Sequence, residues 1–292
     1  MLSIPYRLSS TRFAARRTYA TALEAVQLSF ERQTPSNLTS SRAPLVVLHG
    51  LYGSKQNWRS LAKGMASKLN REVFTLDLRN HGQSPHRREC GYEDLAGDVK
   101  AFIEKEHQLD DCVVVGHSMG GKVAMALALG GCEPISKLVV VDIAPGVGKI
   151  SPEFRAYLDA MKEIDAAQVM SRKEADQILQ KTELDLGVRQ FLLTNIDRGS
   201  PSDPYKFRLP LPYLSNAIEE IGAFPYQPGE RVFEKPSLFL KGSKSKYINS
   251  RNIPLVKQFF PISQLETLET GHWVHAEKPK EFVELLDKFL KE

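Results

Sequence analysis

The chain has 292 residues, 42% hydrophobic and 25% charged, with a formal net charge of +4. That composition excludes a disordered or fibrous chain. No apolar run approaches the roughly 18 residues of a membrane-spanning helix, and three cysteines at no metal-like spacing, Cys90, Cys112 and Cys132, argue against a disulfide framework. Residues 1–23 hold Arg7, Arg12, Arg16 and Arg17 and no acid. Removing those four charges from +4 leaves zero, so the remaining body offers no electrostatic footprint for nucleic acid or acidic membranes.

That basic, hydroxyl-rich start fits an amphipathic mitochondrial import segment, with processing near Tyr19 or Ala20. Residues 24–33 alternate apolar and polar as a half-buried strand does, and the polar, turn-rich residues 34–44 connect it to an apolar strand ending at His49-Gly50. Trp58, Leu61, Met65 and Leu69 at helical spacing predict an amphipathic helix over 57–69, and residues 71–78 a further strand. The polar cluster of Asp77, Arg79, His81 and Ser84 that follows is read as a self-bracing loop. A helix is expected over 92–106.

Residues 111–129 carry the strongest signal. A run of β-formers, Cys112 to Val115, meets Gly-His-Ser-Met-Gly and passes directly into helix formers. A serine in so sharp a strand-to-helix turn projects its hydroxyl from the top of a sheet; this is the G-x-S-x-G nucleophile elbow, with Ser118 as nucleophile. The Met119 N–H lies at the helix N-terminus, where partial positive charge favours an oxyanion. In this fold class the loop after the strand ending at Gly50 supplies the second donor, here the Leu51 N–H.

Residues 137–141 form another apolar strand, running into Asp142. Near-continuous apolar strands separated by helices predict a mostly parallel sheet with helices on both faces. Residues 146–229 read differently, as four amphipathic helices (154–164, 171–180, 187–195 and 212–221) with no strong strand signal. They are expected to form a helical lid inserted after the strand ending at Asp142. Within it Phe154, Tyr157, Leu158, Phe191 and Tyr213 read as packing residues. The core, begun over 24–145, resumes over 230–292 with strands at 235–242 and 264–268, a short helix at 253–260 and a terminal helix at 280–290.

A neutral serine hydroxyl needs a base within hydrogen-bond reach, and the base needs an acid to fix its tautomer. Chain order in this fold class is serine, acid, histidine. Only His272 and His275 of the seven histidines follow the last strand; His272 sits in a short loop after Gly271, whereas His275 lies nearer the next helix and reads as structural. The commonest acid position, the loop 243–247, reads Ser-Lys-Ser-Lys-Tyr and has no carboxylate. Asp142 is therefore the expected acid, with Glu269 as runner-up.

Four motifs then stand in order: His49-Gly50-x-x-Gly53-Ser54, Asp77-x-Arg79-Asn80-His81-Gly82-x-Ser84, Gly116-His-Ser-Met-Gly-Gly-Lys122, and Gly271-His-Trp-Val-His-Ala-Glu-Lys-Pro279. Over residues 24–292 the chain resembles the α/β-hydrolase superfamily, and more narrowly the mitochondrial abhydrolase domain-containing protein 11 group, related bacterial esterases and yeast ethanol acetyltransferases. The resemblance implies an acyl-enzyme on Ser118 formed from a carboxylic ester or thioester, and it agrees with Asp142 as the acid. It leaves open whether water or an alcohol accepts the acyl group, the latter making acetate esters from acetyl-CoA. A non-catalytic fold that binds another mitochondrial protein is the reading from a different class. No metal or tightly bound cofactor is required by this chemistry, and the motifs do not fix acyl length or oligomeric state.

Overall fold

The computed structural model describes residues 24–38 and 42–292; the expected targeting segment, 1–23, lies outside them. In chain order the elements are β1 (Phe30–Gln33), β2 (Leu45–Leu48), α1 (Lys55–Leu69), β3 (Val73–Leu76), α2 (Tyr92–Ala101), β4 (Cys112–His117), α3 (Met119–Leu129) and β5 (Ile135–Val141). There follow α4 (Pro152–Ala167), α5 (Arg172–Leu179), α6 (Leu186–Leu193), β6 (Ile196–Asp197), β7 (Lys206–Phe207) and α7 (Leu211–Ile221). The chain closes with β8 (Ser237–Gly242), α8 (Ile253–Phe259), β9 (Ser263–Leu268), α9 (Val274–Glu277) and α10 (Pro279–Lys291).

Seven strands form one sheet in the order β1-β3-β2-β4-β5-β8-β9, with every pairing parallel except β1 with β3. The continuous apolar runs are explained by burial on both faces. Val46, Leu48, Val114 and Val140 point into a core with α2 and α3, while Leu45, Val47, Val113, Val115 and Val139 point into one with Trp58 and Met65 of α1 and Phe282 and Leu286 of α10. Each such fully buried side chain stabilises the fold by about 1.5–3 kcal/mol.

The first strand is shorter than the alternation predicts. Val26 and Leu28 are buried as expected, but the Val26 N–H donates to Asp98 and the Ser29 N–H to Ser84, so side chains take the bonds a neighbouring strand would have made. The helix expected over 92–106 is regular only to Ala101; residues Phe102–Glu106 make a π-helical turn, closed by the His107 N–H on the Phe102 carbonyl at 3.0 Å. There the His107 ring packs 4.3 Å from Phe102 and 4.7 Å from Phe30. The four helices of the insertion form as the periodicity predicts, but Ile196–Asp197 and Lys206–Phe207 also pair as a small antiparallel ribbon. Two residues per strand are too few for alternation to register in sequence.

The insertion, α4 to α7, is tied to the loop after β2. The Tyr52 hydroxyl donates to the Phe154 carbonyl at 2.8 Å, and the Asn195 amide donates to the Tyr52 carbonyl at 2.7 Å. At its far end the buried Lys122 ammonium donates to the carbonyls of Gly222 and Ala223, at 2.9 and 2.8 Å, just past the C-terminus of α7. Cations are favoured there by the helix dipole, while burial lowers the Lys122 pKa to about 8.

Candidate active site

Register brings the functional residues together. Gly116 pairs with Val140 and His117 with Val141, and Val141 in turn pairs with Leu240. The carboxyl ends of β4, β5 and β8 therefore lie level, with Ser118 and Asp142 as the next residues on adjacent strands. Main-chain bonds lock this arrangement: the Ser118 N–H donates to the Val141 carbonyl at 3.0 Å and the Asp142 N–H to the Leu240 carbonyl at 2.8 Å. Both residues adopt positive φ, 53° for Ser118 and 52° for Asp142, a costly conformation for non-glycine residues that clusters at functional sites. The elbow also needs its glycines. A Cβ on Gly116 would collide with the Gly120 carbonyl, and one on Gly120 with the carbonyls of Leu48 and His49.

His272 Nδ1 lies 2.7 Å from Asp142 Oδ2, and its Nε2 lies 3.0 Å from Ser118 Oγ. An ionised carboxylate only accepts hydrogen bonds, so Nδ1 carries the proton and Nε2 is left to accept from the serine hydroxyl. The other carboxylate oxygen, Oδ1, accepts the Gly242 N–H at 3.0 Å. Asp142 is fully buried, His272 and Ser118 nearly so. Glu269, the runner-up acid, is exposed and faces Lys244 at 3.7 Å instead.

Leu51 and Met119 lie beside Ser118 on the wall of one cavity. The Met119 N–H is the first of α3, one of four at a helix N-terminus with no intrahelical acceptor. Two buried histidines hold the Leu51 loop in shape. His49 Nδ1–H donates to the Gly50 carbonyl and its Nε2 accepts the Leu78 N–H; His81 Nδ1–H donates to the Arg79 carbonyl and its Nε2 accepts the Tyr52 N–H. The polar cluster at 77–84 is thus a brace, as read from sequence. Asp77 accepts the buried Lys55 ammonium at 2.5 Å and the main-chain N–H groups of Lys55 and Gln83, while Arg79 forms a two-point pair with Asp98 at 2.5 and 2.7 Å.

Several contributors escaped sequence reading. His117 Nε2–H donates to the His272 carbonyl at 3.0 Å and so clamps the loop that carries the base. Glu277 accepts the Gly271 N–H at 2.8 Å from the other side. His275, read as structural, stacks on Trp58, 4.0 Å between centroids and 4° between planes, and also lines the larger cavity at Ser118. Phe154 and Phe191 pack against the core as expected but also line the cavity above Ser118, whereas Tyr157 and Leu158 are buried in the core. Helical spacing cannot separate these cases, because one apolar stripe serves both. The only sequence signal for the clamp is the position of His117 inside the elbow motif.

Burial holds His49 and His117 below the ordinary histidine pKa and pushes His81 and His275 down to about 3. Because their folded pKa values lie below the unfolded value of about 6.5, the unfolded chain takes up protons first as pH falls. Their contribution to stability is complete above pH 6.5 and declines below it toward pH 3, by up to about 1.4 kcal/mol per histidine per pH unit. The thermal midpoint, followed by circular dichroism from pH 7.5 to 4.5, is expected to drop steeply below pH 6.5; a flat profile would contradict neutral burial of these rings.

Two cavities meet at Ser118. One, of about 600 Å³, is walled by Phe191, Trp273, His49 and His272; the other, of about 130 Å³, lies on the Met119 side beneath residues 143–150. Together with the Ser-His-Asp chain this arrangement is that of a nucleophilic acyl-transfer site.

Comparison with known proteins agrees. A family model described as the alpha/beta hydrolase fold matches residues 43–279. The sn-1-specific diacylglycerol lipase ABHD11 of Danio rerio is 38% identical over 90% of this chain and 85% of its own. A probable alcohol acetyltransferase of Saccharomyces cerevisiae is 39% identical over 86% of this chain and 78% of its own. Among solved structures, a marine microorganism esterase superposes with a TM-score of 0.82 at 35% identity, covering 91% of this chain and all of that one. The chain belongs to the α/β-hydrolase fold family, in the group that contains the ABHD11 lipases and the yeast alcohol acetyltransferases.

Proposed function

We propose that the chain is a serine hydrolase that forms an acyl-enzyme on Ser118 from a carboxylic ester or thioester. The observation that carries this reading is the continuous hydrogen-bonded chain from Asp142 through His272 to Ser118 at the meeting point of two cavities. Ser118 Oγ attacks the carbonyl carbon as His272 Nε2 takes the hydroxyl proton, and Asp142 stabilises the imidazolium. The N–H groups of Leu51 and Met119 hold the oxyanion. His272 then gives its proton to the leaving oxygen or sulfur as the carbon–heteroatom bond breaks. Water or an alcohol, deprotonated by the same nitrogen, releases the acyl group and restores Ser118. Helices α4 to α7 act as a lid that limits water around the intermediate.

Release by alcohol is a second reading, supported by the 39% identical yeast relative named for alcohol acetyltransfer. The arginine-rich, acid-free residues 1–23 support a mitochondrial address; a fluorescent fusion lacking residues 1–20 is then expected to stay out of mitochondria, and its entry would remove that address. Reaction type is tested by giving purified protein acetyl-CoA and ethanol and following ethyl acetate against free acetate, with Ser118→Ala as control. Serine-dependent acetate alone makes it a thioester hydrolase, and serine-dependent ethyl acetate an alcohol acyltransferase. Silence toward acetyl-CoA and toward simple esters alike would return the chain to the binding-protein reading.

A further inference from the structure

Resting on the acyl-enzyme mechanism above, we infer that the chain selects short acyl groups attached to large leaving groups, the 130 Å³ cavity taking the acyl chain and the 600 Å³ cavity the alcohol or thiol. The assignment follows from proton transfer. In the tetrahedral intermediate on Ser118 the oxyanion points to the N–H groups of Leu51 and Met119, which leaves two directions for the remaining substituents. His272 Nε2 must deliver the serine proton to the leaving atom, so that atom lies on the His272 side. His272 lines the large cavity and not the small one, whereas Met119 lines the small cavity and not the large one. The acceptor gives its proton to the same nitrogen and therefore enters through the large cavity too.

The small cavity is also hard to extend on the side of α2 and α7. At about 130 Å³ against about 600 Å³, it has less than a quarter of the large cavity's room, which suits the shorter of the two chains. One side of it, at Tyr92 and Lys122, is made of groups already committed elsewhere. The Lys122 ammonium is bound to the carbonyls of Gly222 and Ala223, and the Tyr92 hydroxyl donates to the Ile221 carbonyl at 2.7 Å. A longer alkyl tail pressing on that side would have to separate these buried polar pairs or displace the residues that anchor the end of the insertion; the rest of the wall includes Ile143, Leu255 and the loop 146–150. The large cavity falls in the usual range for sites that enclose a whole small molecule.

Octyl acetate and ethyl octanoate are isomers that exchange the two ends, so they differ in placement and hardly in hydrophobicity. The wild-type kcat/KM is expected to favour octyl acetate by at least tenfold to a hundredfold, the scale on which an apolar pocket discriminates by size. Trimming the small cavity's wall with Leu255→Ala is expected to narrow that ratio at least tenfold, chiefly by raising ethyl octanoate. Ile143→Ala at a separate point of the same wall should act in the same direction. Serine-dependent turnover with ethyl octanoate equal or preferred would overturn the partition while leaving the acyl-enzyme reading intact. Absence of Ser118-dependent turnover of either isomer would overturn both.

Discussion

Ser118→Ala is expected to lower kcat for any ester or thioester substrate by about 10⁴–10⁶-fold while leaving the fold in place. Serine-protease triads, where removing the nucleophile alone costs nearly as much as removing all three members, set that scale. The residue left behind is small, and alanine meets the same strain at φ 53° that serine already bears. The lost hydroxyl bonds one partner, His272 Nε2, which faces the cavity and can bond water instead. The variant should therefore unfold within a few degrees of the wild type and lose labelling by a fluorophosphonate probe. On the proposed mechanism the residual rate is expected to come from the N–H groups of Leu51 and Met119, which would still polarise a bound carbonyl. Activity within tenfold of wild type would place the nucleophile elsewhere, and no other serine in the site has a histidine partner among the described residues.

Which parts of this site are legible in sequence depends on how local their physics is. The elbow is legible because strand, serine and helix must follow one another without a spacer, so the geometry is written in consecutive residues from Cys112 to Leu129. The sheet is legible because strands buried on both faces need near-continuous apolar runs. Pairing of Asp142 with His272 spans 130 residues and depends on the level ends of β4, β5 and β8. Sequence nominates Asp142 indirectly, through its place at a strand end, the lack of a carboxylate in residues 243–247 and the family resemblance. The clamp from His117 to the His272 carbonyl, the support from Glu277 and the inward turn of Phe154 and Phe191 depend on how loops and inserted helices settle over the sheet. Nothing in one-dimensional periodicity encodes that. The shortened β1 is the converse case: its pattern is right, but side chains of Asp98 and Ser84 satisfy its backbone.

For Asp142→Asn a loss of about 10⁴-fold in kcat is expected, with little change in thermal midpoint, and the cause is a tautomer. Asp142 uses both oxygens, Oδ1 for the Gly242 N–H and Oδ2 for the Nδ1–H of His272. An asparagine has a single oxygen. The Gly242 N–H is a buried main-chain donor that needs an acceptor, so the oxygen stays there and the NH₂ group turns toward His272. Nδ1 must then accept, which moves the ring proton to Nε2, the nitrogen that has to take the proton from Ser118. The wrong tautomer in an intact site is the documented origin of losses of this size in serine proteases. Asp142→Ala is a poorer test, since it leaves the Gly242 N–H without a partner at a cost of about 1–3 kcal/mol in stability. Glu269→Gln serves as the contrast: its carboxylate is exposed beside Lys244, so turnover should stay within about twofold. Turnover near normal in Asp142→Asn, with loss in Glu269→Gln, would transfer the role of acid to Glu269 and require its loop to rearrange toward His272.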